Sequence, residues 1–295
     1  MNNHEVTEDE VAAARCWFAE ELRHVARVRS PAVVHAFATV PREHFAGPGP
    51  WRLLSASFVR DYWTTENADP RHLYHDVLIA IDEARRLNNG QPSLWAFLYD
   101  QLGLAAAQHV VHVGIGTGYY SAILAEIVGR DGTVTAVEID AALAARARTN
   151  LAPAWPQANV VTADGFAFRP EQPADVIIVN AGVTHLSVAW LDALAEDNGR
   201  LLVPLTEADR AGVFVLITRR NGERERYAAR HVCRVGIVDC IGGRDDAAQA
   251  RLVAALRKSR SAPPIQSLRR APDEPDETCW LAGDGWWLST APLEA

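Results

Sequence analysis

The sequence predicts an α/β protein built on a mainly parallel, doubly wound sheet. Three observations predict it. Short apolar runs of strand length alternate with helical patterns between residues 108 and 218. A glycine-rich turn joins the first of these runs to the helix that follows. Acidic residues close the next two runs.

The elements follow in order. Residues 8–29 carry Val11, Phe18, Leu22, Val25 and Val28, a spacing that suits one helix face. Ser30 then reads as an N-cap and Pro31 as the first helical position. The next helix runs through Val33, Val34 and Phe37 and stops before Pro41. Residues 41–75 have little periodicity and read as a folded but irregular connection. Residues 109–113 form a buried strand, 114–118 a glycine turn and 119–128 a helix. A strand at 134–137 leads to a helix over 141–148, and a third strand spans 160–162. Residues 175–180 (DVIIVN) are a fourth strand, 188–195 a helix, and 201–204 and 213–218 complete the series. Apolar strands alternating with helices call for a sheet covered on both faces.

After about residue 247 the pattern changes. A helix near 248–256 leads into a Pro-rich, charged stretch, then CWLAGDGWWLST. That string reads as two strands around Gly283-Asp284-Gly285, with Trp280, Trp286 and Trp287 docking the hairpin onto the body. Three regions are expected: 1–105 helical and acceptor-binding, 106–246 the core, and 247–295 a C-terminal extension.

Composition narrows the function. The chain has 295 residues, 48% of them hydrophobic, enough to bury a large core. A net charge of −8 argues against a nucleic-acid binder, which needs clustered Lys and Arg. The histidines show no metal-ligand spacing, and Cys16, Cys233, Cys240 and Cys279 form no CxxC pair. The start, MNNHEVTEDEVAAAR, is acidic where a targeting peptide is basic, and no apolar run approaches the roughly 20 residues of a membrane span. A cytoplasmic protein with reduced thiols is expected.

The central motif is VVHVGIGTGYYSAILA, residues 110–125. Gly114, Gly116 and Gly118 let the chain turn tightly and let a ligand approach the backbone. The helix start that follows, at Tyr119, offers free N–H groups and partial positive charge to a carboxylate or a pyrophosphate. Glu138 lies 20 residues after Gly118, at the end of the next strand, where an acid reaches ribose hydroxyls. Ile139 adjoins it. Asp164, followed by Gly165, closes the third strand and can accept an adenine amino group. Asn180 and Gly182, past the fourth strand, border the reacting end. Three successive strand ends make the crevice where such sheets bind ligands. Two donors fit this Rossmann-like pattern, S-adenosyl-L-methionine and NAD. Tyr119 stands where the dinucleotide fingerprint wants Gly or Ala, which favours S-adenosyl-L-methionine. His112, two residues before the first glycine, reads either as a hydrogen-bonding member of the loop or as a buried structural residue.

With VPREHF (40–45), GQP (90–92, 22 residues before Gly114), and the ordered run VEID, ADG, DVIIVNAG and NGRLLVPL, the chain resembles the protein-L-isoaspartate O-methyltransferases over residues 22–243. Tyr74-His75-Asp76 is similar to the family's Tyr-x-Asp. The resemblance implies a Rossmann-like class I methyltransferase with N-terminal helices. It also implies transfer of a methyl group from S-adenosyl-L-methionine to a carboxylate of a peptide or protein. In the family that carboxylate belongs to an isomerised aspartate, and the ester collapses to a succinimide. The family's Thr-Ile-Ser is here Asn88-Asn89-Gly90, so these residues become the acceptor-side candidates. The family's Arg-Phe-Val-Pro-Leu-like segment is here 236–240, with Asp239 placed to repel an anion unless it turns away.

Three readings stay open. The first is a carboxyl methyltransferase with L-isoaspartyl residues as default acceptor. The second keeps the chemistry but takes a specific aspartate of a biosynthetic peptide, or a small molecule. The third is a donor-binding protein without catalysis. No nucleic acid, membrane or metal is expected, and the protein is expected to be a monomer or weak homodimer. The hairpin either covers a sheet edge or recognises the acceptor.

Overall fold

The computed structural model describes residues 6–55, 61–220, 226–259 and 262–293. The first five residues of the acidic start lie outside this range. Compactness divides the chain into two interleaved units. One comprises residues 1–107, 115–133 and 142–159, the other 108–114, 134–141 and 160–295.

The first unit is a helical body with a small sheet. Helix α1 (Glu8–Val25) opens on a capping box: the Thr7 side chain accepts from Glu10 N, and the Glu10 carboxylate accepts from Thr7 N at 2.9 Å. Helix α2 (Pro31–Thr39) starts as expected, with the Ser30 hydroxyl accepting from Val33 N and proline at the first turn. The stretch read as irregular holds helix α3 (Arg42–Ala46) and strands β1 (Arg52–Leu54) and β2 (Trp63–Thr64). Strands β3 (Leu78–Asp82) and β4 (Leu87–Asn88) complete a sheet in the order β2-β1-β3-β4. Strands this short carry too few residues for alternation to show, which is why the sequence concealed them.

Helix α4 (Pro92–Leu102) also went unread. Its N-cap, Gln91, makes no capping bond. Asp76 does that work from a distance, accepting from Ser93 N at 2.8 Å, Ser93 Oγ at 2.7 Å and Gln91 Nε2 at 2.9 Å. Helices α5 (Tyr119–Val128) and α6 (Ala141–Leu151) finish this unit. Its interior is aromatic: Tyr119 meets Phe45 edge-on at 5.7 Å and Tyr120 at 5.0 Å.

The second unit carries nearly all of a ten-stranded sheet. Its strands are β5 (His109–Val113), β6 (Thr133–Glu138), β7 (Ala158–Thr162), β8 (Val176–Val179), β9 (Arg200–Thr206), β10 (Ala211–Arg219), β11 (Arg226–Gly236), β12 (Ser267–Arg270), β13 (Cys279–Gly283) and β14 (Trp286–Ser289). Their order is β13-β14-β12-β11-β10-β9-β8-β5-β6-β7. Strand β8 runs parallel to β5 and to β9, the doubly wound arrangement. From β9 outward the sheet is antiparallel. Helix α7 (Val188–Asp192) is shorter than expected, and α8 (Asp246–Lys258) is capped by the Asp245 carboxylate on Ala248 N at 2.7 Å.

Strand β11 is absent from the sequence reading. Its sequence, RYAARHVCRVG, mixes charged and apolar residues and carries a bulge opposite Phe214/Val215, which breaks the two-residue period. The Trp-rich hairpin forms as expected. It extends the sheet through β12 instead of covering a face, with Trp286 and Trp287 buried and the Trp287 indole N–H donating to Asp273 O at 3.1 Å. Among the described residues no helix is long and apolar enough to cross a membrane, and all four cysteines are unpaired.

Candidate functional site

In the second unit the ends of β5, β6 and β7 converge. Gly114 leaves β5 at φ +79°, the left-handed region that favours glycine, and its N–H donates to Val137 O at 2.8 Å. A Cβ there would lie 3.2 Å from the Asn180 carbonyl oxygen, so Gly114 and Asn180 abut. Asn180 N in turn donates to Val113 O at 2.8 Å. Glu138, 7% exposed, ends β6 and accepts from Asp140 N at 3.1 Å. Its main-chain oxygen accepts from Ala163 N at 3.1 Å, which ties the β6 end to the β7 side. Ile139 beside it is exposed.

Asp164 accepts from Phe166 N at 2.9 Å, a local turn that orients one carboxylate oxygen. Gly165 is fixed by packing: an added Cβ would sit 2.3 Å from Val113 Cγ1. The Trp190 indole N–H holds the Gly165 carbonyl at 2.9 Å. His112 is fully buried in β5, and burial pushes its pKa down to about 3, so the ring is neutral at physiological pH. A buried, neutral His112 is compatible with both readings of the residue.

Past Gly114 the chain enters the first unit. Gly116 (φ +57°) and Gly118 (φ +95°) hold the turn, and Gly118 caps α5 without a side chain. A Cβ on Gly118 would meet Leu151 Cδ1 at 3.2 Å, the close helix approach that the third glycine permits. The Tyr119 side chain is 2% exposed inside the aromatic cluster, so only its backbone is placed to meet a ligand.

The acceptor-side candidates also lie in the first unit. Asn88 Oδ1 accepts from Gly90 N at 2.9 Å, and Asn89 Oδ1 accepts from Ile79 N at 2.8 Å. Each amide has therefore committed its oxygen to the local main chain. Gly90 stands at φ +83°, its carbonyl accepts from the Tyr120 hydroxyl at 3.0 Å, and a Cβ there would lie 2.6 Å from Trp95 Nε1. A serine hydroxyl has no room at this position. A cavity of about 10 Å³ beside Asn89 and Thr117 holds no more than a water-sized group.

The sequence pattern of the protein family described as "Protein-L-isoaspartate(D-aspartate) O-methyltransferase (PCMT)" matches residues 17–241. The chain belongs to this family. It is 32% identical over 217 residues to Protein-L-isoaspartate O-methyltransferase 1 of Geotalea uraniireducens, covering 73% of this chain and 87% of that protein. It is 30% identical over 217 residues to Protein-L-isoaspartate O-methyltransferase 2 of Pelobacter propionicus, covering 73% and 84%.

Solved structures agree in fold. One titled protein-L-isoaspartate O-methyltransferase superposes with TM-score 0.61 at 24% identity, covering 81% of this chain and 69% of the other. Another, from Plasmodium falciparum and assigned to the same class in complex with S-adenosyl-L-homocysteine, gives TM-score 0.59 at 19% identity, covering 77% and 97%. The fold is thus the Rossmann-like class I methyltransferase fold that the family resemblance implied. The family match ends at residue 241, so α8 and strands β12 to β14 lie beyond it.

Proposed function

We propose that this family member transfers a methyl group from S-adenosyl-L-methionine to a carboxylate of a peptide or protein, with an L-isoaspartyl residue as default acceptor. The observation that carries the reading is the placement of Gly114, Glu138 and Asp164 at the ends of neighbouring strands, in a chain whose relatives bear that enzyme name.

The residues fit the donor. Gly114 turns the chain at the end of β5 at a positive φ, packed so closely on Asn180 that a side chain would press on it. Glu138 is an acceptor-only carboxylate at a strand end, suited to two ribose hydroxyls. Asp164 keeps an oxygen for an amino group, with Ile139 and Gly165 beside the two acids. Gly116, Gly118 and the N–H of Tyr119 follow on the chain at the start of α5, where helix N–H groups and the helix dipole favour a carboxylate.

When bound, S-adenosyl-L-methionine supplies a methyl group activated by its sulfonium. The protein has little acid–base work to do. The acceptor carboxylate is ionised near neutral pH, its reference pKa being about 4. Holding it in line with the methyl group and keeping water out supplies the catalysis, up to about 7–11 kcal/mol in favourable systems.

A second reading keeps the chemistry and changes the acceptor to a particular aspartate of a biosynthetic peptide, or to a small molecule. Gly90 favours it, because the positive φ and the Trp95 contact bar the hydroxyl that the family pattern carries there. Incubation with labelled donor and an isoaspartyl peptide separates the two. Base-labile label on the peptide supports the first reading, and an unlabelled peptide from protein that binds S-adenosylhomocysteine rejects it. We place the protein in the cytoplasm as a monomer or weak homodimer without nucleic-acid partners, in keeping with its net charge of −8.

A further inference from the structure

Arg42, the arginine of VPREHF, opens α3 and is 1% exposed. A cation taken out of water needs compensation inside the protein. Main-chain oxygens provide it here. Nη1 donates to Leu73 O, and to His75 O at 2.9 Å, and Nη2 donates to Val77 O at 3.0 Å. Three alternate carbonyls of one stretch thus converge on a single guanidinium, whose rigid fork offers several donors at once. Two rings complete its surroundings. The guanidinium lies 5.4 Å from the centroid of Phe18 and 5.6 Å from that of Tyr119.

The stretch that Arg42 pins supports the acceptor-side residues. Asp76, between two of the three carbonyls along the chain, caps α4 and holds Gln91. Strand β3 follows directly, and Asn89 is fastened to it twice. Asn89 N donates to Ile79 O at 3.0 Å, and Asn89 Oδ1 accepts from Ile79 N at 2.8 Å. The same arginine meets the start of α5 through the Tyr119 ring, and the adjacent Tyr120 donates its hydroxyl to Gly90 O at 3.0 Å. Arg42, Asn89, Thr117 and Tyr119 all line the one water-sized cavity. That cavity brings Arg42 beside both the 88–90 turn and the end of the glycine turn.

We propose that Arg42 is a positioning residue for methyl transfer: its guanidinium fixes residues 73–77, and through β3 the Asn88–Gly90 turn, against the start of α5. The inference rests on the reading above, which puts the donor at the start of α5 and the acceptor at that turn. In-line transfer tolerates little displacement, and a misplacement of about 1 Å can cost about 100-fold in rate. A lysine at this position keeps the charge. Its ammonium is a point charge on a flexible stem and does not reproduce the planar fork that meets carbonyls 73, 75 and 77. Arg42→Lys therefore separates the charge from the fork.

The test uses the full-length protein as wild type, Arg42→Lys and Phe18→Leu. Four quantities are measured: kcat and KM on an isoaspartyl peptide, the S-adenosylhomocysteine dissociation constant by calorimetry, and hydrogen exchange over residues 78–91 and 109–114 by mass spectrometry. In Arg42→Lys, kcat is expected to fall at least about tenfold, and exchange over 78–91 to quicken by a similar factor. The dissociation constant and the exchange over 109–114 are expected to stay within about twofold. Unchanged kcat, or unchanged exchange over 78–91, in folded Arg42→Lys overturns the proposal. So does a donor-binding defect as large as the loss of kcat, the mark of general loosening. Should Arg42→Lys fail to fold, Phe18→Leu decides, since it removes one ring against the guanidinium. It is expected to lower kcat at least about threefold and quicken exchange over 78–91 with donor binding intact; unaltered kcat and exchange reject the role. A wild type that binds S-adenosylhomocysteine but leaves the isoaspartyl peptide unmethylated defeats the acceptor reading instead, and exchange over 78–91 then judges Arg42 by itself.

Discussion

Glu138 sits at the end of β6, 7% exposed, and its value depends on what its carboxylate can accept. If it holds two ribose hydroxyls, Glu138→Ala removes those bonds and weakens S-adenosylhomocysteine by about 1–3 kcal/mol, read by calorimetry. Unaltered affinity in a folded variant refutes that placement. Gly90 makes the opposite kind of prediction. Restoring the family-like side chain with Gly90→Ser forces a Cβ to within 2.6 Å of Trp95 Nε1 at φ +83°. We expect stability to fall by about 1–3 kcal/mol in urea titration, with no gain in activity on an isoaspartyl peptide.

His112 yields a pH dependence. Its native pKa is depressed to about 3, below the ordinary value of 6.5, so below pH 6.5 the unfolded chain binds the proton that the native state refuses. Its contribution therefore erodes as pH falls from 6.5 toward 3, by about 2 kcal/mol at pH 5. A His112→Gln variant that loses as much stability as wild type between pH 7 and 5 would show that the ring is not responsible.

At the scale of elements, the capping of α4 shows what local sequence conceals. The expected N-cap position, Gln91, makes no capping bond, while Asp76 reaches across 17 residues to Ser93 N. Asp76→Ala should cost about 0.5–2 kcal/mol, visible as a lower urea midpoint, and Asp76→Asn should recover part of it through its remaining amide oxygen. The Tyr-x-Asp likeness was legible in the sequence; its capping role was not, because a cap supplied from outside the helix leaves no signature beside it. Strand β11 was lost for a related reason. A bulge shifts the alternation midway, and Arg230, His231 and Arg234 interrupt the apolar pattern. By contrast α2 was read correctly at its start, since Ser30 and Pro31 act on their own turn.

At the scale of the whole molecule, the C-terminal extension belongs to the second unit's own core. Leu252, Leu268, Leu281, Trp286 and Leu288 pack in one cluster with Val203, Val215 and Tyr227 of the sheet. Removing residues 247–295 strips that core and uncovers β11. Truncated protein is expected to be insoluble on expression, whereas an acceptor-recognition device would leave a soluble enzyme with altered selectivity. The finer change Trp287→Ala should cost about 3–5 kcal/mol and leave the peptide KM of the folded fraction unaltered. Both results would place the hairpin in the architecture of the sheet.

The sequence by itself determined the glycine turn, the strand-end acids and the fold class, because each depends on neighbours along the chain: a strand, a turn that needs positive φ, and a helix start. Only the tertiary structure decided that Asn88 and Asn89 spend their amide oxygens on local backbone, that Asp239 is matched by Arg210 and Arg244, and that Gly242 rests against Asp164. The Asp239–Arg210 and Gly242–Asp164 contacts depend on which residues meet across long stretches of chain. Hydrogen bonding and charge pairing are settled by distance in space, and spacing along the sequence does not carry it.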